Sequence, residues 1–302
     1  MGFLYLLESI RFPLLTELML LITRLGEETA FLVAALIMFW CVDKNRGYYL
    51  MGVGFCGTIF NQFLKLLCKV PRPWVLDPSF NAVQEAIPAA TGYSFPSGHS
   101  QSSVGVFGGL ALTTKKKALR WIFIAIAVLV PFSRMYLGVH TPQDVLVGSL
   151  SALALVFLFR FLNDGKYLRP MLFGMAALSV LYLIFAQVII EPANMDAYNY
   201  SHGVQNAYTL MGAVFGMLVV YLVDEKWVHF EVKAIWWAQI LKLLGGLVLV
   251  LAVKVGLKTP LNALFGAYFG RSVRYFLLVL VAGCVWPLTF RWFANLGKKV
   301  QK

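Results

Sequence analysis

Three short polar segments interrupt a very apolar chain, and no other part of it concentrates so much chemistry. Lys65 and Arg72-Pro73 mark the first, Pro96-Ser97-Gly98-His99 the second, and Ser133-Arg134 with His140 and Asp144 the third. Together they supply cations, two imidazoles, a carboxylate and a glycine turn. Such a set suits a phosphoryl group, whose transition state spreads negative charge over three peripheral oxygens that fixed cations and N–H donors in a dry pocket stabilise. Arginine offers bidentate contact to phosphate, and lysine a point charge. Pro96-Ser97-Gly98 stands just before an apolar run and reads as a helix start, where free N–H groups and the positive end of the dipole face an anion. Gly98 lets the backbone come close.

His140 and Asp144 are four residues apart at another expected helix start, with Thr141 as cap and Pro142 in the first turn. A carboxylate on one imidazole nitrogen fixes the tautomer and leaves the other nitrogen as an acceptor, the geometry of an oriented nucleophile or base. A second histidine, His99, permits a division of labour in which one attacks phosphorus and the other protonates the leaving oxygen. Plainer readings stand beside these. The cations could be snorkelling residues at span ends, the reading preferred for Lys69, and the His–Asp pair a structural hydrogen bond.

The elements that must position these residues are membrane spans. Of the 302 residues, 60% are hydrophobic and 13% charged, and the mean hydropathy is +0.74. That is more apolar surface than a soluble core needs, and it points to a multi-spanning membrane protein. The net charge of +12 does not indicate nucleic acid, because the basic residues fall between apolar runs and not along one groove. The first residues offer no basic leader or small-residue cleavage site. Cys41, Cys56, Cys68 and Cys284 lack metal-ligand spacing and read as small buried hydrophobes.

Residues 1–27 read as an amphipathic segment, with Glu8 and Arg11, then Glu17 and Arg24, at helical spacing, which favours a helix lying in the interface over one that spans. Residues 28–165 hold the three motifs, and 166–302 add further helices. Nine spans are expected, at about 28–43, 47–68, 97–113, 121–137, 142–162, 170–190, 205–223, 235–253 and 274–294, near the ~20 residues a bilayer requires. Gly105 and Gly109 give a close-packing spacing in the third. Residues 69–96 read as a proline-bearing loop, and 191–203 as a polar loop, either a solvated connector or a lid. Trp236 and Trp237 read as interfacial anchors. Outside the three motifs, lysine and arginine concentrate on the loops around 44–46, 115–120 and 160–169 and at the C-terminus. This side is read as cytoplasmic, which puts all three motifs on the opposite face.

The motifs resemble the signature of the type 2 phosphatidic acid phosphatase superfamily, which includes vanadium haloperoxidases: K-x6-RP, PSGH and SR-x5-H-x3-D. Here they are Lys65 to Arg72-Pro73, Pro96-Ser97-Gly98-His99, and Ser133-Arg134 with His140 and Asp144, complete and in order. The resemblance covers about residues 28–165. It implies an all-α membrane bundle with a core of about six helices, to which this chain adds C-terminal spans. It also implies a phosphoric monoester hydrolase or pyrophosphatase that needs no metal and no cofactor. His140 would be the nucleophile, forming a phosphohistidine, with Asp144 orienting it and His99 as general acid. Lys65, Arg72, Ser97, Gly98 and Arg134 would hold the phosphate.

The expected substrate is a lipid phosphate in the bilayer: phosphatidic acid, phosphatidylglycerophosphate, undecaprenyl pyrophosphate or a sphingoid phosphate. Hydrolysis of a soluble phosphate such as a sugar phosphate, and transfer of the phosphoryl group to a sugar or lipid, are the alternatives. The nine spans are loosely similar in topology to glucose-6-phosphatase.

Overall fold

Proline punctuates this backbone. Pro13, Pro73 and Pro142 each occupy the first turn of a helix, where the missing N–H would be unsatisfied in any case and the fixed φ suits the helix. The computed structural model describes residues 1–162, 166–189 and 196–296. All regular elements among them are helical. The helices are α1 (Gly2–Ser9), α2 (Pro13–Thr23), α3 (Glu28–Ile37), α4 (Lys44–Cys68), α5 (Pro73–Leu76), α6 (Gly98–Thr113), α7 (Lys117–Tyr136) and α8 (Pro142–Leu158). They continue with α9 (Leu168–Ile184), α10 (Ala197–Val223), α11 (Trp236–Gly256), α12 (Lys258–Phe265), α13 (Ala267–Leu280) and α14 (Phe290–Asn295).

Six helices among the described residues are long and apolar enough to cross a bilayer, and a seventh span results if the pair Pro13–Gly26 and Glu28–Val42, bent by 55°, counts as one. Nine spans were expected. The difference lies in α6 and α8, of 16 and 17 residues. At 1.5 Å per residue these reach about 24–26 Å, short of the ~30 Å hydrocarbon core. The outward side chains of α7 and α11 are apolar, with Trp121, Val128, Val248 and Val255 each more than 60% exposed. Backbone polar groups satisfied within helices and apolar side chains turned outward are what a bilayer solvates. The chain is a multi-pass membrane protein.

The chain divides into two compact units. One comprises Met1–Ala34, Leu50–Phe161 and Ile184–Gly203; the other comprises Ala35–Tyr49, Leu162–Leu183 and Val204–Lys302. The first unit is built on α6, which packs against both α7 and α8 and buries nine of its sixteen residues. Small residues permit this. Gly105 faces Val53 on α4, and a Cβ on Gly148 would stand 2.5 Å from the Ser97 carbonyl oxygen. The starts of α6 and α8 are thus in backbone contact, joined also by Ser97 N–H donating to the Asp144 carbonyl at 2.9 Å.

Residues 1–27 are two helices and a turn, not one surface helix. Phe12 is extended before Pro13, and Leu4 is fully buried in a cluster with Phe80 and Ala82. Arg11 is held by the protein itself: it donates to the carbonyls of Tyr136, at 2.9 Å, and Asn81. The 69–96 loop is therefore pinned from the N-terminal side, also through Tyr5 to Asp77 and Asn81 to Glu8.

In the second unit Trp40 is fully buried, with its indole N–H on the Ala282 carbonyl. A Cβ on Gly212 would meet the Ser272 carbonyl oxygen at 2.1 Å, and one on Gly216 the Phe276 carbonyl oxygen at 3.0 Å, so α10 and α13 touch along their backbones. Of the expected polar loop 191–203, the portion from Ala197 is the start of α10; residues 190–195 lie outside the described residues. Trp236 and Trp237 open α11 and are 76% and 37% exposed.

The seam between α6 and α8 yields a prediction. Gly148→Ala should destabilise the protein by about 1–3 kcal/mol, the range for overpacking, and lower activity as well. Gly174→Ala, in α9 with nothing within 4 Å, should be neutral or slightly stabilising, since Ala is the better helix former. Thermal unfolding in one detergent checks both, and equal effects would refute the seam's role.

Candidate active site

Gly138 turns the chain out of α7. Its φ is +77°, a conformation that glycine adopts without strain, and a Cβ there would lie 2.8 Å from both Phe80 and Arg11. The turn delivers His140, only 2% exposed, just ahead of α8. Arg72 comes to meet it from the short link after α4. One of its terminal nitrogens, Nη1, lies 2.9 Å from His140 Nε2 and 3.5 Å from Nδ1, and donates to the Val139 carbonyl at 3.0 Å. The rest of the guanidinium is held by the Thr91 and Gly92 carbonyls, at 2.7 and 3.1 Å.

Asp144 Oδ2 lies 3.5 Å from His140 Nδ1, the outer limit for a hydrogen bond. Its shorter contacts are elsewhere: the Ser94 hydroxyl donates to it at 2.6 Å and the Thr141 N–H at 2.8 Å. Thr141 and Asp144 close a reciprocal capping box on α8, which satisfies two donors that a helix start leaves free. With Arg72 on Nε2 and Asp144 on the Nδ1 side, the tautomer consistent with both contacts carries its proton on Nδ1 and an acceptor lone pair on Nε2. Burial first, then the charges of Arg72, Arg134, Lys65 and His99, push the His140 pKa well below the usual 6.5.

Arg134 is fully buried near the end of α7. Its Nη1 donates to Thr23 Oγ1 at 2.8 Å, while Nε and Nη2 have no partner. Gly26 lets the N-terminal segment in: a Cβ there would sit 2.7 Å from Val130 and 3.0 Å from the His99 carbonyl oxygen. His99 stands in the first turn of α6 with a buried, unpartnered Nε2. Lys65, 5% exposed, donates to the Tyr93 carbonyl. Ser97 is committed to structure: its hydroxyl caps α6 by accepting from the Ser100 N–H and Ser100 Oγ–H, and its own N–H serves the Asp144 carbonyl. A Cβ on Gly98 would come within 3.6 Å of Asn61 Oδ1, a buried acceptor without a donor.

All eight residues singled out from the sequence thus lie in the first unit. Lys65, Arg72, His99, His140, Arg134 and Asp144 interact through contacts or charge; Ser97 and Gly98 form the helix start beside them. Among the described residues the ion pairs are Lys44–Asp224, Arg46–Asp43 and His140–Asp144. None of the three buried cations, Lys65, Arg72 or Arg134, has a carboxylate partner. Buried cations held by carbonyls, a hydroxyl and a neutral imidazole make a cluster that favours an anion. Among the described residues no three His, Cys, Asp or Glu side chains cluster as a metal-ligand set.

Three contributors escaped the sequence reading. Ser94 stands two residues before Pro96, close enough to the motif to have been flagged. Asn61 lies one helical turn before Lys65 on α4. Thr23 carries no local signal, since 111 residues separate it from Arg134.

The chain is similar to known membrane phosphatases. The profile described as PAP2 superfamily matches residues 45–166, and the one described as PAP2 superfamily phosphatase, transmembrane extension, matches residues 208–299. Undecaprenyl-diphosphatase BcrC of Bacillus subtilis is 30% identical over 142 residues, 47% of this chain and 69% of that protein. Phosphatidylglycerophosphatase B of the same organism is 34% identical over 170 residues, 51% of this chain and 78% of that protein. The crystal structure of the first transmembrane PAP2 type phosphatidylglycerolphosphate phosphatase from Bacillus subtilis aligns with a TM-score of 0.46 at 30% identity, over 55% of this chain and 84% of that one. With both profiles matched and both relatives covered over more than two thirds of their length, the chain belongs to the PAP2 superfamily and is a membrane phosphatase acting on phosphate esters.

Proposed function

We propose that this protein hydrolyses a lipid phosphate monoester or pyrophosphate at the non-cytoplasmic face, through a phosphohistidine on His140 and without a metal. The observation that carries this reading is the His140 ring, with Arg72 on Nε2, Asp144 toward Nδ1 and a buried, unpartnered His99 nitrogen in the same charged cluster. Substrate phosphate draws the Arg72 N–H onto its own oxygens and frees the Nε2 lone pair. Nε2 attacks phosphorus, the bond to the ester oxygen breaks, and His99 gives that oxygen its proton. Water then attacks the phosphohistidine, His99 takes a proton from it, and the N–P bond breaks. Lys65, Arg72 and Arg134 stabilise the charge that develops on the equatorial oxygens.

A lipid substrate is favoured by the relatives' printed activities on undecaprenyl diphosphate and phosphatidylglycerophosphate and by the apolar surroundings of the site's helices. The charge bias of the loops supports the outer face for the site and the inner face for the C-terminus.

A substrate panel tests the reading. Phosphatidic acid, phosphatidylglycerophosphate or undecaprenyl pyrophosphate should be cleaved with a strong dependence on chain length, and glucose 6-phosphate poorly; indifference to chain length would favour the soluble substrate. His140→Ala should retain less than about 1% of parent activity, as expected when covalent catalysis is lost. Vanadate, a mimic of the in-line transition state, should inhibit, and chelators should not.

Thr23 is proposed as a positioning residue that orients Arg134 toward the phosphate. Thr23→Val should lower kcat/KM about tenfold, the worth of one hydrogen bond to a charged group, with vanadate affinity falling in parallel. Thr23→Ser should restore both. If valine and serine variants behave alike, the hydroxyl has no such role.

The depressed His140 pKa fixes a sign for acid stability. Native His140 stays neutral where the unfolded residue, near 6.5, takes a proton, so native stability falls as pH drops below that value. The loss of melting temperature between about pH 7.5 and 5.5 should be smaller in His140→Ala than in the parent. An equal loss would mean that His140 is not held neutral.

A further inference from the structure

A second imbalance of charge lies in the other unit. After Glu231 the chain contains no Asp or Glu, so the cations of the last three helices have no carboxylate near them in sequence. Arg271 and Arg274 stand three residues apart on α13, on one face of the helix. Arg271 reaches across to α10, its Nε donating to Thr209 Oγ1 at 2.6 Å and its Nη1 to Gln205 Oε1 at 3.3 Å. Arg274 is only 6% exposed, and its Nε is buried with no partner. Their guanidinium carbons lie 5.8 and 5.5 Å from the centroid of one ring, that of Tyr275.

Among the described residues this pair has neutral partners only. Neither arginine takes part in any ion pair among the described residues. Arg271 and Arg274 lie ahead of the last turn of α13, where alone the helix dipole would favour a cation. Nor can α13 readily move to solvate them, because Ser272, between the two, is pressed by its carbonyl against Gly212 of α10. A snorkelling arginine would extend its head to water; Arg274 instead keeps an unmatched N–H inside. Tyr268 and Phe269 on the same helix are 39% and 49% exposed, a rim of aromatic residues at the start of the candidate span Ala267–Asn295. Aromatic residues collect at the level of lipid headgroups, and basic pockets between membrane helices hold headgroup phosphates.

We propose that Arg271 and Arg274 form a phosphate-binding site separate in sequence from the catalytic motifs, taking the phosphate of an anionic lipid headgroup or free inorganic phosphate. The two forks present several N–H donors in the planar geometry that suits phosphate oxygens, and the orphaned Arg274 Nε gains its acceptor. Nothing in this inference depends on the chemistry assigned to His140.

The test uses the full chain in nanodiscs. Parent, Arg271→Lys and Arg274→Lys proteins are compared in phosphatidylcholine, in phosphatidylglycerol, and in phosphatidylcholine with added inorganic phosphate, by thermal unfolding and by native mass spectrometry of retained lipid. Lysine keeps the charge and removes the fork, so a folding defect is separated from a binding defect by the melting temperature in phosphatidylcholine alone. The proposal expects an anion-dependent rise in melting temperature in the parent. Apparent affinity should weaken about tenfold in each lysine variant, as for the loss of one charge-assisted contact. Stabilisation by phosphatidylglycerol alone identifies a lipid headgroup, and stabilisation by inorganic phosphate identifies the free anion. The same anion dependence in parent and variants overturns the site, as does its absence from all three. Repeating the comparison in His140→Ala separates the two readings, because a site on α13 survives there whether or not hydrolysis does.

Discussion

Lys65, Arg72 and Arg134 are each at most 6% exposed, and none forms an ion pair among the described residues. Taking an ion out of water costs several kcal/mol even after the protein relaxes around it. The fold offsets this only in part, with carbonyls from Thr91, Gly92, Tyr93 and Val139 and the hydroxyl of Thr23. These partners carry partial charge and leave the field of the cations largely intact. A phosphate that enters such a place meets a fixed positive potential that does not have to reorganise as charge builds on its oxygens. The rest of the first unit can be understood as what keeps three like charges from relaxing apart or reaching solvent.

Helix starts do much of that work. α6 and α8 begin side by side, with the Ser97 N–H on the Asp144 carbonyl and Gly148 leaving room for the Ser97 backbone. Asp144 is as much a structural residue as a partner of His140. Its side chain gathers the Thr141 N–H and the Ser94 hydroxyl, which joins the segment before α6 to the start of α8. The imidazole meets the carboxylate at the longest of its contacts, so the orientation of His140 comes jointly from Asp144, from Arg72 and from the Gly138 turn.

The N-terminal segment belongs to the same construction. Arg11 grips the Tyr136 and Asn81 carbonyls, Leu4 fills a cluster with Phe80 and Ala82, and the turn at Gly26 packs on Val130 and His99. It lies outside the matched region 45–166, yet it supplies the hydroxyl on Arg134. The second unit repeats the electrostatic theme on α13, where Arg274 is buried and Arg271 half-buried beside neutral groups.

The sequence by itself determined the local grammar and the chemistry available. Helix starts at Ser97 and Pro142, the Thr141–Asp144 cap, the apolar spans and the identity of the two histidines and three cations follow from neighbours within a few residues. Hydrogen bonds and hydrophobic period act over that range. Tertiary structure decided which polar atoms found partners. Nothing near Thr23 announces Arg134, and nothing near Tyr93 announces Lys65. The length of α6 and α8, the break at Pro13 and the helix beginning at Ala197 also departed from the apolar pattern alone. Hydropathy reports how readily a segment leaves water. It cannot report which buried neighbour, far along the chain, receives a donor once it has.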